Sequence, residues 1–169
     1  MQRLALLLAL AGGLIACKAP DPPTLEPKSA EVKQVALTGL DVELTIEAEN
    51  PNSIPLIARK VNARVKLDDR VDLGEVSVET KIKIPANKSV TLVAPLSLSW
   101  TDLGSIASMA ASKTEIPFTV TGTAEIGTDD VSFDVPFKTK GSLTREQLTK
   151  LGTGALPIQI PTALPKLPF

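Results

Sequence analysis

Between Asp41 and Glu49 apolar and polar side chains alternate without a break, with Val42, Leu44, Ile46 and Ala48 set against Asp41, Glu43, Thr45, Glu47 and Glu49. A period of two places every second side chain on one face, so this run predicts a half-buried strand. The same period recurs in Val61, Ala63, Val65 and Leu67, and then in Val76, Val78, Ile82 and Ile84. It returns in the even-numbered residues Val90 to Trp100, in Phe118, Val120, Gly122, Ala124 and Ile126, and in Val131, Phe133, Val135 and Phe137. Ala30 to Thr38 supplies a weaker first strand, which makes seven. Apolar-in, polar-out alternation is the pattern of antiparallel sheets with one wet face. The fold class expected is all-β, a seven-stranded antiparallel β-sandwich of the immunoglobulin or fibronectin type III kind.

One segment breaks the β pattern. In Thr101 to Lys113 the apolar residues Leu103, Ile106, Ala107 and Ala110 have helical spacing, and Thr101 or Asp102 can serve as N-cap. This predicts a short helix between the fifth and sixth strands, plugging one end of the core. A second short helix is expected from Thr144, where Thr144 and Gln147 have capping-box spacing. Asp68-Asp69 and Gly127-Thr128-Asp129-Asp130 fall between strands and read as solvated turns, since neither has the alternating oxygen spacing of a calcium loop.

Composition narrows the chemistry. The 169 residues include no His and one Cys, with 18 basic against 19 acidic side chains. Without His there is no His-based triad and no His-ligated zinc, and no motif points to a Ser-Lys dyad. A near-neutral chain with four Phe, one Trp and no Tyr offers neither a phosphate footprint nor stacking platforms for nucleic acid. The expectation is a non-enzymatic protein without metal or cofactor. Glu43, Glu47 and Glu49 on one outer face, and Lys60, Arg64, Lys66, Lys81 and Lys83 on others, are read as cross-strand charge pairs.

The N-terminus is organised differently. Arg3 precedes an eight-residue apolar run, Leu4 to Ala11, which is too short to span a bilayer. It leads to Leu14-Ile15-Ala16-Cys17, which resembles the lipobox of bacterial lipoproteins, in which the Cys is acylated and becomes the first residue of the mature chain. Residues 1–16 are therefore expected to be a lipoprotein signal peptide, with Cys17 the lipidation site. Residues 17–29 follow as a Pro-rich tether, whose eleven residues Lys18 to Lys28, with Pro at 20, 22, 23 and 27, reach about 30 to 35 Å at about 3.1 Å per residue. The implied location is the bacterial cell envelope, lipid-anchored through Cys17. Because Lys18 follows the Cys where an Asp would signal inner-membrane retention, the periplasmic face of the outer membrane is preferred.

The sandwich is assigned to residues 30–142, and 143–169 to the second helix and a Pro-rich arm. Leu156 to Phe169 has a Pro every three or four residues, which excludes helix and central strand. It reads as an arm laid over its own domain or as a docking segment for another envelope protein.

Immediately after the cleanest strand stands Asn50-Pro51-Asn52. Downstream come Leu73-Gly74, Ile84-Pro85-Ala86, the helical segment Leu103 to Lys113, Pro117 to Gly122, and Val135-Pro136-Phe137 to Gly141. In order and spacing this resembles the WHy (water stress and hypersensitive response) domain of the late embryogenesis abundant type 2 family, over about Val35 to Gly141. Relatives often carry an aromatic in the strand after the Asn-Pro-Asn turn, where this chain has Lys60-Val61-Asn62. The resemblance implies protection of proteins or membranes during desiccation or temperature stress, with client or envelope proteins as partners. The competing expectations are a structural or adaptor subunit of an envelope assembly and a lipid-binding sandwich. From the residues themselves, Pro51 holds Asn50 extended and Asn52 suits the left-handed position of a type II turn, so Asn50, Pro51 and Asn52 are expected to steer the chain before they bind anything.

Overall fold

The computed structural model describes residues 19–148. The signal segment 1–16, Cys17 and the arm 156–169 lie outside the described residues. Seven strands form: β1 (Thr24–Ala36), β2 (Gly39–Glu49), β3 (Leu56–Leu67), β4 (Val71–Ile84), β5 (Ser89–Ser99), β6 (Glu115–Gly127) and β7 (Ser132–Thr144), with helix α1 (Leu103–Ser112) between β5 and β6. They build two antiparallel sheets, ordered β1-β2-β5 and β4-β3-β6-β7.

The alternation read from the sequence is the one that builds the core. Val42, Leu44, Ile46 and Ala48 of β2 and Leu92, Ala94, Leu96 and Leu98 of β5 are buried against Val61, Ala63, Val65 and Leu67 of β3 and Phe118, Val120, Ala124 and Ile126 of β6. Full burial of a Val, Leu, Ile or Phe side chain contributes roughly 1.5–3 kcal/mol, so these facing sets dominate stability. The β4 residues Val76, Val78 and Ile82 are only half-buried, because β4 is an outer strand of its sheet.

Two glycines of the Gly-containing strand motifs are set by close packing. Gly141 lies opposite Phe118 in the β6–β7 register, and a Cβ there would stand 2.3 Å from the Phe118 ring and 2.4 Å from the Ala30 carbonyl oxygen. At Gly122 a Cβ would meet the Asn62 carbonyl oxygen at 2.0 Å. Backbone and ring occupy the space a side chain would need.

The boundary expected at residue 30 is corrected. β1 starts at Thr24, paired with Glu49, so half of the segment read as tether is the first half of an edge strand. Pro27 is tolerated there because β1 borders its sheet. Helix α1 matches the expected segment, with Asp102 as N-cap accepting from the Ser105 N–H at 3.0 Å. The capping box at Thr144 is also present: the Thr144 N–H donates to Gln147 Oε1 at 2.8 Å, and residues 145–148 are helical.

Candidate functional site

The strand directions place Asp21, the β2–β3 loop, the β4–β5 loop and the β6–β7 turn at one end of the sandwich, and the β1–β2 turn, the β3–β4 turn and α1 at the other. At the first end sit Asn50 and Asn52, the two buried polar residues among the described residues, exposed by 0% and 9%. A buried primary amide costs free energy unless its donors and acceptor are used. Here every one is used.

Asn50 closes β2. Its Nδ2 donates to the carbonyls of Ile54 at 2.8 Å, Ile84 at 3.2 Å and Pro85 at 3.2 Å, two N–H bonds shared among three acceptors. Its Oδ1 accepts from the Asn52 backbone N–H at 2.9 Å and from Asn52 Nδ2 at 3.0 Å. The Asn50 backbone N–H donates to the Lys88 carbonyl at 3.0 Å. One side chain thereby fixes the β2–β3 loop and ties it to the β4–β5 loop of the facing sheet's edge.

Asn52 extends the bracket to the N-terminal segment. Its Oδ1 accepts from the Asp21 N–H at 2.7 Å, and its Nδ2 donates to the Asp21 carbonyl at 2.8 Å. The amide pairs with Asp21 as an adjacent strand's peptide group would, donating and accepting at one residue. The Asn52 carbonyl accepts from the Asn87 N–H at 2.9 Å. The left-handed position predicted for Asn52 is corrected: among the described residues the non-glycine positions with positive φ are Asp68, Asp69 and Asn87, the last at 53° in the β4–β5 loop. Asn52 is instead held by its side chain, and Asn87 makes the left-handed turn.

The other sequence-predicted positions lie elsewhere. Asp68 and Asp69 form the β3–β4 turn at the opposite end, with φ of 51° and 55°. Lys113 at the C-cap of α1 donates to Asp68 Oδ1 at 2.6 Å, and this bond holds the Asp68 carboxyl below its ordinary pKa. At the first end Arg59 bridges the β6–β7 turn, donating to the Thr128 carbonyl at 2.7 Å and to Asp129 Oδ1 at 3.1 Å. Among the described residues no cluster of three or more acidic or thiol groups is placed to hold a metal ion.

The acids of β2 find partners the sequence reading missed. Glu26 faces Glu47 and Glu31 faces Glu43 across β1 and β2, and the register slips at Lys28 and at Lys33. Each bulged lysine bridges one such pair: Lys28 to Glu26 at 2.9 Å and Glu47 at 2.8 Å, Lys33 to Glu31 at 3.1 Å and Glu43 at 2.9 Å. Hydrogen bonds to Glu26 above all raise the Lys28 pKa, and to Glu43 above all that of Lys33. The repeated Glu-x-Lys spacing at 26–28 and 31–33 was the available signal. On the other sheet Arg64 pairs with Asp72 at 3.0 Å and Glu75 at 3.4 Å.

Two layers of antiparallel sheet bracketed at one end by buried amides define an all-β, sandwich-like class of protein. The particular family follows from comparison. Residues 45–141 match the family model described as "Late embryogenesis abundant protein", and the chain belongs to that family. No curated protein sequence matches it. Among solved structures, a protein from Archaeoglobus fulgidus is similar at TM-score 0.52 and 11% identity, over 75% of this chain and 97% of that one. A solution structure described as a late embryogenesis abundant protein gives TM-score 0.56 and 15% identity, over 73% and 71%. A protein from Arabidopsis thaliana gives 0.54 and 16%, over 75% and 83%. At such identities the likeness concerns the fold.

Proposed function

We propose that this chain is a lipid-anchored, non-enzymatic envelope protein whose domain, of the WHy kind, protects proteins or membranes during desiccation or temperature stress. The observation that carries the reading is the family match over 45–141, which takes in half of β2 and almost all that follows in the sandwich. The buried two-sheet core supports a folded protectant over a disordered one. The three-and-four strand order supports the fibronectin type III side of the expected fold. The Leu14-Ile15-Ala16-Cys17 motif supports the anchor, and Lys18 after it the outer-membrane destination.

The adaptor alternative gains less support from the sheet edges. β1 lies beside β7 and β4 beside β5, and Pro27, Pro95 and Pro136 interrupt the donors of β1, β5 and β7. Such edges are poor templates for an added strand. A desiccation assay tests the main reading: the full chain in vesicles is expected to preserve more activity of a drying-sensitive enzyme than an equal mass of an unrelated folded protein. Equal losses would remove the protective role. Cys17→Ser is expected to leave unprocessed precursor that no longer partitions with detergent, and unchanged partitioning would remove the anchor.

A further inference from the structure

The clamp between Asn52 and Asp21 changes where the domain stands relative to a lipidated Cys17. Asp21 is held by two hydrogen bonds, 2.7 and 2.8 Å long, to a side chain that is itself buried and fully bonded. Four residue steps separate Asp21 from Cys17. A fully extended chain spans at most about 3.6 Å per residue, so Cys17 lies within about 14 Å of Asp21. The headgroup layer of one leaflet is roughly 5–8 Å thick. The usable tether is therefore three residues, Lys18 to Pro20, where the composition had implied a spacer of eleven.

The end of the sandwich so constrained has a surface that suits the bilayer interface. The β2–β3 loop, Asn50 to Pro55, and the β4–β5 loop, Pro85 to Lys88, contain one charged side chain between them, the exposed Lys88. Pro51, Ile54, Pro55 and Pro85 are exposed beside it, Ile54 by 44%. Exposed apolar tips beside a cation suit the boundary between headgroups and hydrocarbon. The same end also carries the exposed acids Asp21 and Glu49, and the β6–β7 turn adds Asp129 and Asp130, the first of these paired with Arg59.

We infer that the Asn52–Asp21 clamp seats this end of the sandwich on the lipid headgroups, with the β2–β3 and β4–β5 loops in contact with phosphodiesters and the α1 end pointing away. The inference rests on acylation of Cys17. Its test uses the full acylated chain in vesicles of phosphatidylglycerol and phosphatidylethanolamine carrying a headgroup nitroxide. Ile54→Cys and Leu103→Cys each receive an environment-sensitive dye; Leu103, 60% exposed, begins α1 at the far end. Quenching at position 54 is expected to exceed that at 103 several-fold. Equal quenching would overturn the orientation. Inserting twelve Gly/Ser residues between Pro20 and Asp21 leaves the clamp intact, and is expected to erase the difference; a difference that survives the insertion would overturn the short tether as its cause. Acylation is read separately, by fatty-acid incorporation and by the failure of Cys17 to take dye in the otherwise unsubstituted chain. If Cys17 takes dye and no fatty acid, the anchor has failed, and with it the basis for seating.

Discussion

The two ends of the sandwich are closed by different chemistry. At the Asp21 end neutral amides join Asp21 and the β2–β3 and β4–β5 loops, while Arg59 and Asp129 tie down the β6–β7 turn: Asn50 and Asn52 are buried, and their bonds go to backbone groups and to one another. At the α1 end the joints are ionic or lie nearer the surface. Asp68 pairs with Lys113, Asp102 caps the helix, and Arg145 donates to the carbonyls of Ala111 at 3.3 Å and Lys113 at 3.1 Å. Trp100 adds a bond from its indole N–H to the Ala36 carbonyl at 2.8 Å. Neutral, buried bonds are insensitive to pH and salt, whereas exposed ion pairs are screened and titrate. The amide bracket is thus insensitive to conditions to which the Asp68–Lys113 joint responds.

The largest expected effect comes from breaking the neutral end at its centre. Asn50→Ala removes the donor that the Ile54, Ile84 and Pro85 carbonyls share and the acceptor of Asn52. Leaving buried groups unpaired costs about 1–3 kcal/mol for each, so a total of about 3 kcal/mol or more is expected, with the midpoint of urea unfolding as the measure. A loss below about 1 kcal/mol would mean that water replaces the amide and that the bracket is not the structural element described.

Asn52→Ala is expected to cost less, about 1–3 kcal/mol, and to act locally. It frees Asp21 from both of its bonds to the side chain. Hydrogen exchange at the Asp21 amide should accelerate far more than exchange along β2, and the two rates rising together would instead report global destabilisation. Pro51→Ala is smaller again. Pro51 is exposed and makes none of the bracket's side-chain bonds, so its contribution is the entropy it removes from the unfolded chain, about 0.4–1 kcal/mol. Protection of a client enzyme per folded molecule should be unchanged by Pro51→Ala. Activity lost at full stability would move Asn-Pro-Asn from scaffold to recognition site.

How much of this was legible in the sequence differs between the same two ends. Strands were visible because alternation is a local signal, and α1 because Asp102 and the spacing of Leu103, Ile106 and Ala110 fall within one segment. The Thr144–Gln147 box was visible for the same reason. The clamp was not, since Asn52 and Asp21 are 31 residues apart and the Pro content around Asp21 points to a tether whether or not a side chain reaches over to hold it. Asn-Pro-Asn was read as a turn from residue preferences, which correctly located the chain reversal and misplaced the left-handed residue. Asn87, in the β4–β5 loop, carries that conformation. Likewise the Glu-x-Lys bulges of β1 depend on a register that only pairing with β2 establishes.

The smallest expected effect sharpens the comparison most, because it separates the ends by pH. The Asp68 pKa is lowered first by its bond from Lys113, and Asp102 at the same end is lowered by its bonds from Ser105. A carboxyl whose folded pKa lies below its unfolded value, about 3.9, contributes stability that is fully present above that value and is lost as pH falls through the folded pKa. Thermal stability of the protein should therefore decline as pH drops below about 4. Asp68→Asn removes one of the titrating groups while tolerating the left-handed backbone at φ 51°. Its melting temperature should sit slightly below that of the parent chain at neutral pH, and the gap should narrow as pH falls through the range in which Asp68 protonates. Asn52→Ala, at the neutral end, should instead run parallel to the parent chain across the same range. A gap for Asp68→Asn that stays constant down to pH 2 would show that the Asp68–Lys113 pair adds nothing to the fold, and the ionic end would then owe its closure to Trp100 and the packing of α1.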